Sequence, residues 1–129
     1  MTTPILADTS AWVDYLRNTQ TALLPLVEAN TAAICEPIFM ELLSGTRNED
    51  EWTLIRRLLD RGPLIPFDAL ADFEGAARIR RMAAQIGISI GSVDCMILAT
   101  AARSDSALMT LDRQQAAVGV HLGIRVLGH

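Results

Sequence analysis

The sequence predicts an α/β protein with three layers (α/β/α), in which helices cover both faces of a short, mainly parallel central sheet. Short apolar runs alternate with longer amphipathic segments along the 129 residues, and this alternation is typical of parallel strands joined by helices. Half of the residues are apolar, which is sufficient for one continuous core at this length. We therefore expect a single domain over residues 1–129, without an internal repeat or a linker.

Two strands and four helices are predicted in the first half of the chain. Asp8, Thr9 and Ser10 form a helix-start signal, because such side chains accept hydrogen bonds from the free N–H groups of a first helical turn. Pro37 suits the first position of a later helix. In chain order the predicted elements are strand 5–7, helix 8–17, helix 21–29, strand 32–35, helix 37–43 and helix 49–61.

The second half continues this alternation and begins with a minimal strand. The apolar period that follows predicts a long helix, which Gly87 ends. We expect Ser92 to cap the next helix and Asp112 to begin the last one. In chain order the predicted elements are strand 64–65, helix 68–85, helix 93–103, strand 107–111, a short helix from 112 and strand 124–127.

The charged residues exclude several functions. The net charge is −4, and all eleven basic residues are arginine. Phospho-acceptor domains and P-loop nucleotide-binding proteins both rely on a lysine near the phosphate, so both classes are excluded. Arg78, Arg80 and Arg81 cluster on one predicted helix, where they either contact RNA phosphate or an acidic partner, or simply face solvent.

The two cysteines and the apolar runs indicate where the protein resides. Cys35 and Cys95 form no CxxC pair and lie in apolar surroundings, so we expect buried thiols in a reducing compartment. There is no basic start followed by an apolar signal core, and no apolar run approaches the roughly 20 residues that span a bilayer. We therefore expect a cytoplasmic protein.

Four acidic residues, Asp8, Glu41, Asp94 and Asp112, follow predicted strands or lie early in the helices after them. The carboxyl ends of parallel strands share one crevice, so acids far apart in sequence can meet there. Carboxylates that meet repel one another unless a cation is present, and such hard oxygen ligands suit Mg²⁺ or Mn²⁺. Because such an ion can activate water against a phosphodiester, the pattern predicts a metal site that hydrolyses nucleic acid.

Each of the four acids also has a purely structural interpretation. Asp8 fits a helix N-cap, and Asp112 with Gln115 fits a capping box. Asp94 lies where the helix dipole favours any carboxylate, and Glu41 fits an exposed helix position. Only their meeting at one edge of the sheet favours chemistry over structure.

Other side chains are assigned structural roles. Trp12, Phe39, Trp52 and Phe73 are assigned to the core or to partner contacts rather than to stacking on bases. The role of Glu36 is left open. The remaining acids on helix faces are assigned to solubility; they are Asp14, Glu28, Glu49, Asp50, Glu51, Asp60, Asp72 and Glu74.

Four short segments, in this order, resemble the motifs of PIN-domain ribonucleases of the VapC toxin family. They are ILADTSAWVD at 5–14, ELLSG at 41–45, DCMILA at 94–99 and TLDR at 110–113. The resemblance extends over nearly the whole chain. It implies a PIN-like fold and an endoribonuclease that depends on Mg²⁺, with Mn²⁺ as a substitute.

The same resemblance implies roles for individual residues. Asp8 and Asp94 would be direct Mg²⁺ ligands, and Thr9 or Ser10 would support the cluster by hydrogen bonding. Many relatives continue the last motif with a second aspartate and an aromatic residue, whereas Gln114 and Gln115 stand here, which implies a weaker second metal site. The full catalytic and metal-binding set implied is Asp8, Glu41, Asp94 and Asp112.

The partners implied by the resemblance are RNA and a second protein. The RNA would be cut in a tRNA or rRNA loop. A VapB-type antitoxin would fill the toxin groove with its C-terminal segment, in a hetero-oligomer built on a toxin homodimer, and only the antitoxin would touch DNA. Two alternatives stay open: an RNA-processing nuclease that is not a toxin, and a catalytically silent PIN interaction module.

Overall fold

The computed structural model describes residues 4–18 and 21–128. Its strands are short, and its helices hold most of the chain. In order, the elements are β1 (Ile5–Ala7), α1 (Thr9–Arg17), α2 (Leu24–Glu28), β2 (Ala32–Ala33), α3 (Glu36–Ser44), α4 (Glu49–Arg61), α5 (Ala69–Gln85), α6 (Ser92–Arg103), β3 (Leu108–Met109), α7 (Arg113–His121) and β4 (Val126–Leu127). Among these helices, none combines the length and the apolar character that crossing a membrane requires.

Within the described residues, four parallel strands form one sheet in the order β2–β1–β3–β4. Leu6 and Ala7 are neighbours in β1, so their side chains point to opposite faces of the sheet, yet both are 0% exposed. Leu108 and Met109 of β3 are likewise both buried. Both faces of the sheet are therefore covered, which confirms the predicted three-layer α/β/α fold with a parallel sheet.

The path of the chain reverses between the two central strands. From β1 the chain moves outward to β2, whereas from β3 it moves outward in the other direction to β4. In an open α/β sheet, the crevice beyond the carboxyl ends of the strands at such a reversal is where ligands bind. Asp8 directly follows β1 and Thr110 directly follows β3, so both residues lie at this crevice.

Several predicted elements are shorter in the structure. The strands predicted at 32–35, 107–111 and 124–127 span only 32–33, 108–109 and 126–127. Residues 64 and 65 form no ladder, because Leu64 makes only a single parallel bridge with Ile34, beyond the end of β2. Helix α2 begins at Leu24, three residues later than predicted, with Pro25 in its first turn. A proline is accepted there because the first turn of a helix has no use for its missing N–H group.

The start of α6 also differs from the prediction. Gly91 is the N-cap of this helix, no side chain caps it, and Ser92 is already its first helical residue. The Ser92 hydroxyl instead accepts a hydrogen bond from Arg80 of α5 at 2.8 Å. The Ser92 hydroxyl, which was expected to cap its own helix, therefore binds a side chain of α5 instead.

Asp72 corrects the assignment of helix-face acids to solubility. Its side chain in α5 is buried and accepts hydrogen bonds from Arg103 of α6 at 2.8 and 2.9 Å, and from Thr100 at 3.2 Å. Burial raises the pKa of Asp72, but these hydrogen bonds and the Arg103 charge outweigh burial and hold it below its ordinary value. The helical period of α5 could not reveal this contact, because the partners lie about thirty residues away on another helix.

Three other residues can now be placed. Cys35 and Cys95 are free and buried, as expected, and burial raises the pKa of the Cys35 thiol to about 12. Glu36 accepts a hydrogen bond from the Phe67 backbone N–H at 2.9 Å. Its role, which the sequence left open, is to tie the start of α3 to the segment before α5.

Replacing Asp72 with asparagine should lower the free energy of unfolding at pH 7 by roughly 2–3 kcal/mol, because hydrogen bonds to charged partners contribute about that much. The depressed pKa means that this stabilisation is present above the ordinary Asp pKa of about 4 and is lost as the pH falls through the folded-state value. Urea unfolding of both proteins across this range should show the difference narrowing on acidification. A difference that stays constant would contradict the ionic contact.

Candidate active site at the carboxyl edge of the sheet

Asp8 is the buried centre of the candidate site. It is the N-cap of α1, and its Oδ1 atom accepts hydrogen bonds from the Ser10 hydroxyl at 2.6 Å and from the Ala11 N–H at 3.1 Å. Its Oδ2 atom accepts one from the Thr110 hydroxyl. Burial raises the pKa of Asp8, and these hydrogen bonds lower it without cancelling the effect. A carboxylate offers about four lone-pair positions, so the capping role leaves Oδ2 able to accept a further partner.

The two hydroxyls that serve Asp8 also bind the loop after β3. Ser10 Oγ accepts the Leu111 N–H at 2.9 Å, and Thr110 Oγ1 accepts the Asp112 N–H at 3.0 Å. Ser10 thus supports Asp8, as expected, and Thr110 does so as well. The role of Thr110 was not recognised in the sequence, although a hydroxyl residue that ends a buried strand beside a candidate ligand was a usable signal.

Glu41 and Asp112 flank this centre and are held by other donors. The Thr9 hydroxyl donates a hydrogen bond to Glu41 Oε1 and thereby links α1 to α3. Asp112 is exposed and is the N-cap of α7, where its Oδ1 atom accepts the N–H groups of Gln114 at 2.9 Å and Gln115 at 3.0 Å. The capping interpretation of Asp112 is therefore correct as far as the backbone is concerned.

The Gln115 side chain does not close the predicted capping box. It is 1% exposed, and its Nε2 atom lies 3.5 Å from the backbone carbonyl oxygen of Asp94. Its Oε1 atom has no hydrogen-bond partner within the described residues. Gln115 therefore packs under the first turn of α6, which the sequence did not indicate.

Asp94 is partly buried in the first turn of α6 and shows the most perturbed ionisation in the site. Burial, together with the negative charges of Glu41, Asp112 and Asp8, raises its pKa to about 6. Like charges shift a pKa in this way only when they lie close to one another. The structure thus brings all four acids, which are separated by up to 104 positions in the sequence, to one edge of the sheet.

The chemistry of these donors suits a hard divalent cation, because all four offer carboxylate oxygens and their mutual repulsion would be relieved by positive charge. In their present arrangement the four side chains do not form a complete coordination site. Across residues 4–18 and 21–128, no three His, Cys, Asp or Glu side chains are placed so that they could hold a metal ion together. Binding by three of the four acids therefore requires their side chains to turn towards a common point.

A groove of about 670 Å³ lies beside Glu41, between α1, α3 and α4. Its apolar surface includes Leu16 and Leu54, which are 40% and 66% exposed. Arg17 and Arg47 also line it. The groove thus combines exposed apolar side chains with Arg17 and with an ion pair between Arg47 and Glu51 at 3.1 Å, and it reaches one of the four acids.

Comparison with known proteins assigns this geometry to a family. The sequence profile of the PIN domain matches residues 5–120. The chain is 39% identical over 115 residues to VapC ribonuclease Mb1587 of Mycobacterium bovis and to ribonuclease VapC11 of Mycobacterium tuberculosis. Each alignment covers 84% of this chain and 86% of the relative. The chain belongs to the VapC family of PIN domains. The DNA-bound VapBC structure from Salmonella typhimurium has the same fold, with a TM-score of 0.82 at 20% identity over 98% of both chains.

The family assignment confirms the resemblance drawn from the four motifs. All four acids, Asp8, Glu41, Asp94 and Asp112, lie inside the stretch that matches the PIN domain. Their roles as metal ligands and catalytic groups, and the extent of the domain over residues 1–129, stay predictions.

Asp94→Asn should make the metal-free PIN domain more stable at neutral pH. Because the pKa of Asp94 is raised, this side chain stays protonated in the folded protein up to about pH 6. In the unfolded chain it loses its proton at about pH 4, where an ordinary Asp titrates. Stability should therefore fall as the pH rises through this window, and the asparagine variant should lack that fall. Urea unfolding in a chelating buffer measures both curves, with Asp50→Asn on an exposed position of α4 as control. Parallel curves for Asp94→Asn and wild type would rule out the repulsion.

Proposed function

We propose that this protein is an endoribonuclease that hydrolyses RNA phosphodiester bonds with Mg²⁺ or Mn²⁺ and acts as the toxin of a toxin–antitoxin pair. The observation that carries the proposal is the meeting of Asp8, Glu41, Asp94 and Asp112 at the carboxyl edge of the sheet, where hydroxyl groups from the ends of both central strands hold Asp8. A folded site that holds several carboxylates against their repulsion gains most from a bound cation. Relatives that are 39% identical to this chain are ribonucleases.

In this proposal Asp8 and Asp94 bind the metal directly, and Glu41 and Asp112 complete the acidic set. Ser10 and Thr110 hold the Asp8 carboxylate in a fixed orientation by donating to different oxygens, which leaves Oδ2 with a free lone pair. Once bound, the ion would supply a nucleophilic water and stabilise negative charge on the phosphodiester. Because the chain has no lysine, arginine side chains would bind the RNA phosphates that the metal ion does not neutralise.

Purified protein should cut RNA only when Mg²⁺ or Mn²⁺ is present. Mapping of new 5′ ends across total cellular RNA, with wild type and Asp8→Asn in parallel, would both test activity and identify the RNA. Asp8→Asn and Asp94→Asn should lower kcat/KM by roughly two orders of magnitude or more, which is typical for the loss of one group that stabilises the transition state. Asp50→Asn serves as the matched control.

Full activity in excess EDTA, or undiminished activity in Asp94→Asn, would rule out the metal-dependent mechanism. Soluble, correctly folded wild type that cuts no RNA under any of these conditions would instead favour a silent interaction module.

The proposed protein partner is a VapB-type antitoxin that occupies the groove beside Glu41. The apolar side chains of Leu16 and Leu54 would receive an apolar segment, and Arg17 would pair with one of its acidic groups. A segment seated there would lie next to one of the four acids and so obstruct RNA. The relative of known structure from Salmonella is a VapBC complex bound to DNA, and we propose a similar hetero-oligomer around a toxin homodimer, with DNA contacted by the antitoxin.

Production of the protein without its antitoxin should arrest growth, and co-production should restore it. Leu54→Arg should weaken the toxin–antitoxin complex by about tenfold or more, because an exposed apolar anchor in the groove is replaced by a charge. The variant should still cut RNA, since Leu54 is not one of the acids. Unimpeded growth of cells that contain active wild-type protein would favour an RNA-processing nuclease over a toxin.

A further inference from the structure

Arg80 is held by a neutral partner at the start of α6, the helix that carries Asp94. Its Nη1 atom donates a hydrogen bond to the Ser92 hydroxyl at 2.8 Å, and Ser92 is the first residue of α6, two positions before Asp94. Two helical residues span about 3 Å along the axis, so the guanidinium is fixed beside the turn that carries Asp94. Arg80 is also exposed to solvent.

The charge of Arg80 is not neutralised by the protein's own acids. Among the residues that the structure describes, Arg80 takes part in no salt bridge. Its charge does reach the same helix, because it lowers the pKa of the Cys95 thiol, although burial raises that pKa by more. The arginines that do form salt bridges with carboxylates are Arg47, Arg56, Arg78 and Arg103.

A recess of about 370 Å³ has Arg80 in its wall. The other residues that line it are Ala84, Gly87, Ile88, Ser89 and Ile90. This lining joins apolar surface to a hydroxyl and to one unpaired cation. Such a combination suits a nucleotide, whose base or sugar packs on apolar surface while its phosphate meets positive charge.

RNA that approaches the site meets four carboxylates of its own sign of charge, so a cation at the edge of the site would offset part of that repulsion. Arginine is well suited to the task, because its planar guanidinium presents five N–H donors and binds phosphate through two of them. The hydrogen bond to Ser92 uses only one donor. The remaining donors of Arg80 are therefore available, and Ser92 limits the directions in which they point.

We propose that Arg80, oriented by Ser92, binds a backbone phosphate of the RNA next to the bond that is cut, and that the recess receives the adjoining nucleotide. The inference rests on the proposed endoribonuclease function and adds a residue that positions the substrate. Arg80 acts on the affinity for RNA, whereas the four acids act on the reaction.

The test uses the RNA that wild type cuts in the mapping experiment, with initial rates measured at several salt concentrations. Arg80→Gln should raise KM about tenfold with little change in kcat, because one charge-assisted hydrogen bond to bound RNA is lost. The plot of log kcat/KM against log salt concentration should become shallower by about 0.7, the contribution of one phosphate contact on a single strand. Arg78→Gln is the matched control, because the Arg78 guanidinium is paired with Glu74 on the same helix.

Two further variants separate charge from shape. Arg80→Lys should restore the salt dependence but only part of the affinity, since lysine keeps the charge and loses the planar fork. Ala84→Glu should also raise KM, because it places a negative charge in the recess. Its control is Ala71→Glu, an exposed position near the start of the same helix and about 20 Å along the axis from Ala84, where salt screens charge.

The outcomes distinguish this inference from the proposed function. An unchanged KM and an unchanged salt dependence in Arg80→Gln would overturn the role of Arg80 and leave the nuclease intact. A fall in kcat alone would also overturn it, since that result would indicate an effect on the acids. If wild type cuts no RNA with metal present, the proposed function and this inference both fail.

Discussion

The Asp8 carboxylate joins the ends of the two central strands, and the candidate site is built around that junction. The backbone pairing of β1 with β3 ends where the Asp8 N–H donates to the Met109 carbonyl oxygen at 2.9 Å, and hydrogen bonds from Ser10 and Thr110 to the Asp8 side chain continue the connection beyond that point. Gly128 packs on the other side of Thr110 with a φ of +95°, and a Cβ atom there would come within 2.5 Å of the Thr110 carbonyl oxygen. Only glycine at position 128 leaves room for Thr110 in the position from which it donates its hydrogen bond to Asp8.

Two aspartates on successive helices show how the surroundings divide structure from chemistry. Asp72 meets an arginine, its pKa falls, and its ionised form holds α5 against α6. Burial and three neighbouring acids raise the pKa of Asp94, and its ionised form opposes folding. Asp72 therefore stabilises the contact between the two helices at any pH at which it is charged. Asp94 lowers the stability of the metal-free protein, as is common at functional sites, and in the proposed function a bound cation would relieve the repulsion among the acids.

Local signals in the sequence were sufficient for the fold class and for the expectation that the four acids lie near one another. The cap at Asp8 and the order of the strands follow from residue types and periodicity, and the rule for parallel sheets then brings the acids to one edge. The contacts of Asp72, Gln115 and Ser92 could not be predicted, because each depends on a partner from a distant element. Nor does the sequence specify the directions of the four carboxylates, which decide whether a metal is held by two or by three of them.

Helix α6 has a consequence for how long the molecule survives. Asp94 lies in its first turn, and the helix continues into the core through side chains that are almost fully buried, namely Cys95, Ile97, Leu98, Ala99, Thr100 and Ala101. An element buried to this degree opens only when the whole molecule unfolds, whereas surface loops open on their own. A cellular protease therefore gains access to the segment that carries Asp94 chiefly through global unfolding, so the lifetime of the active form follows the stability of the entire fold.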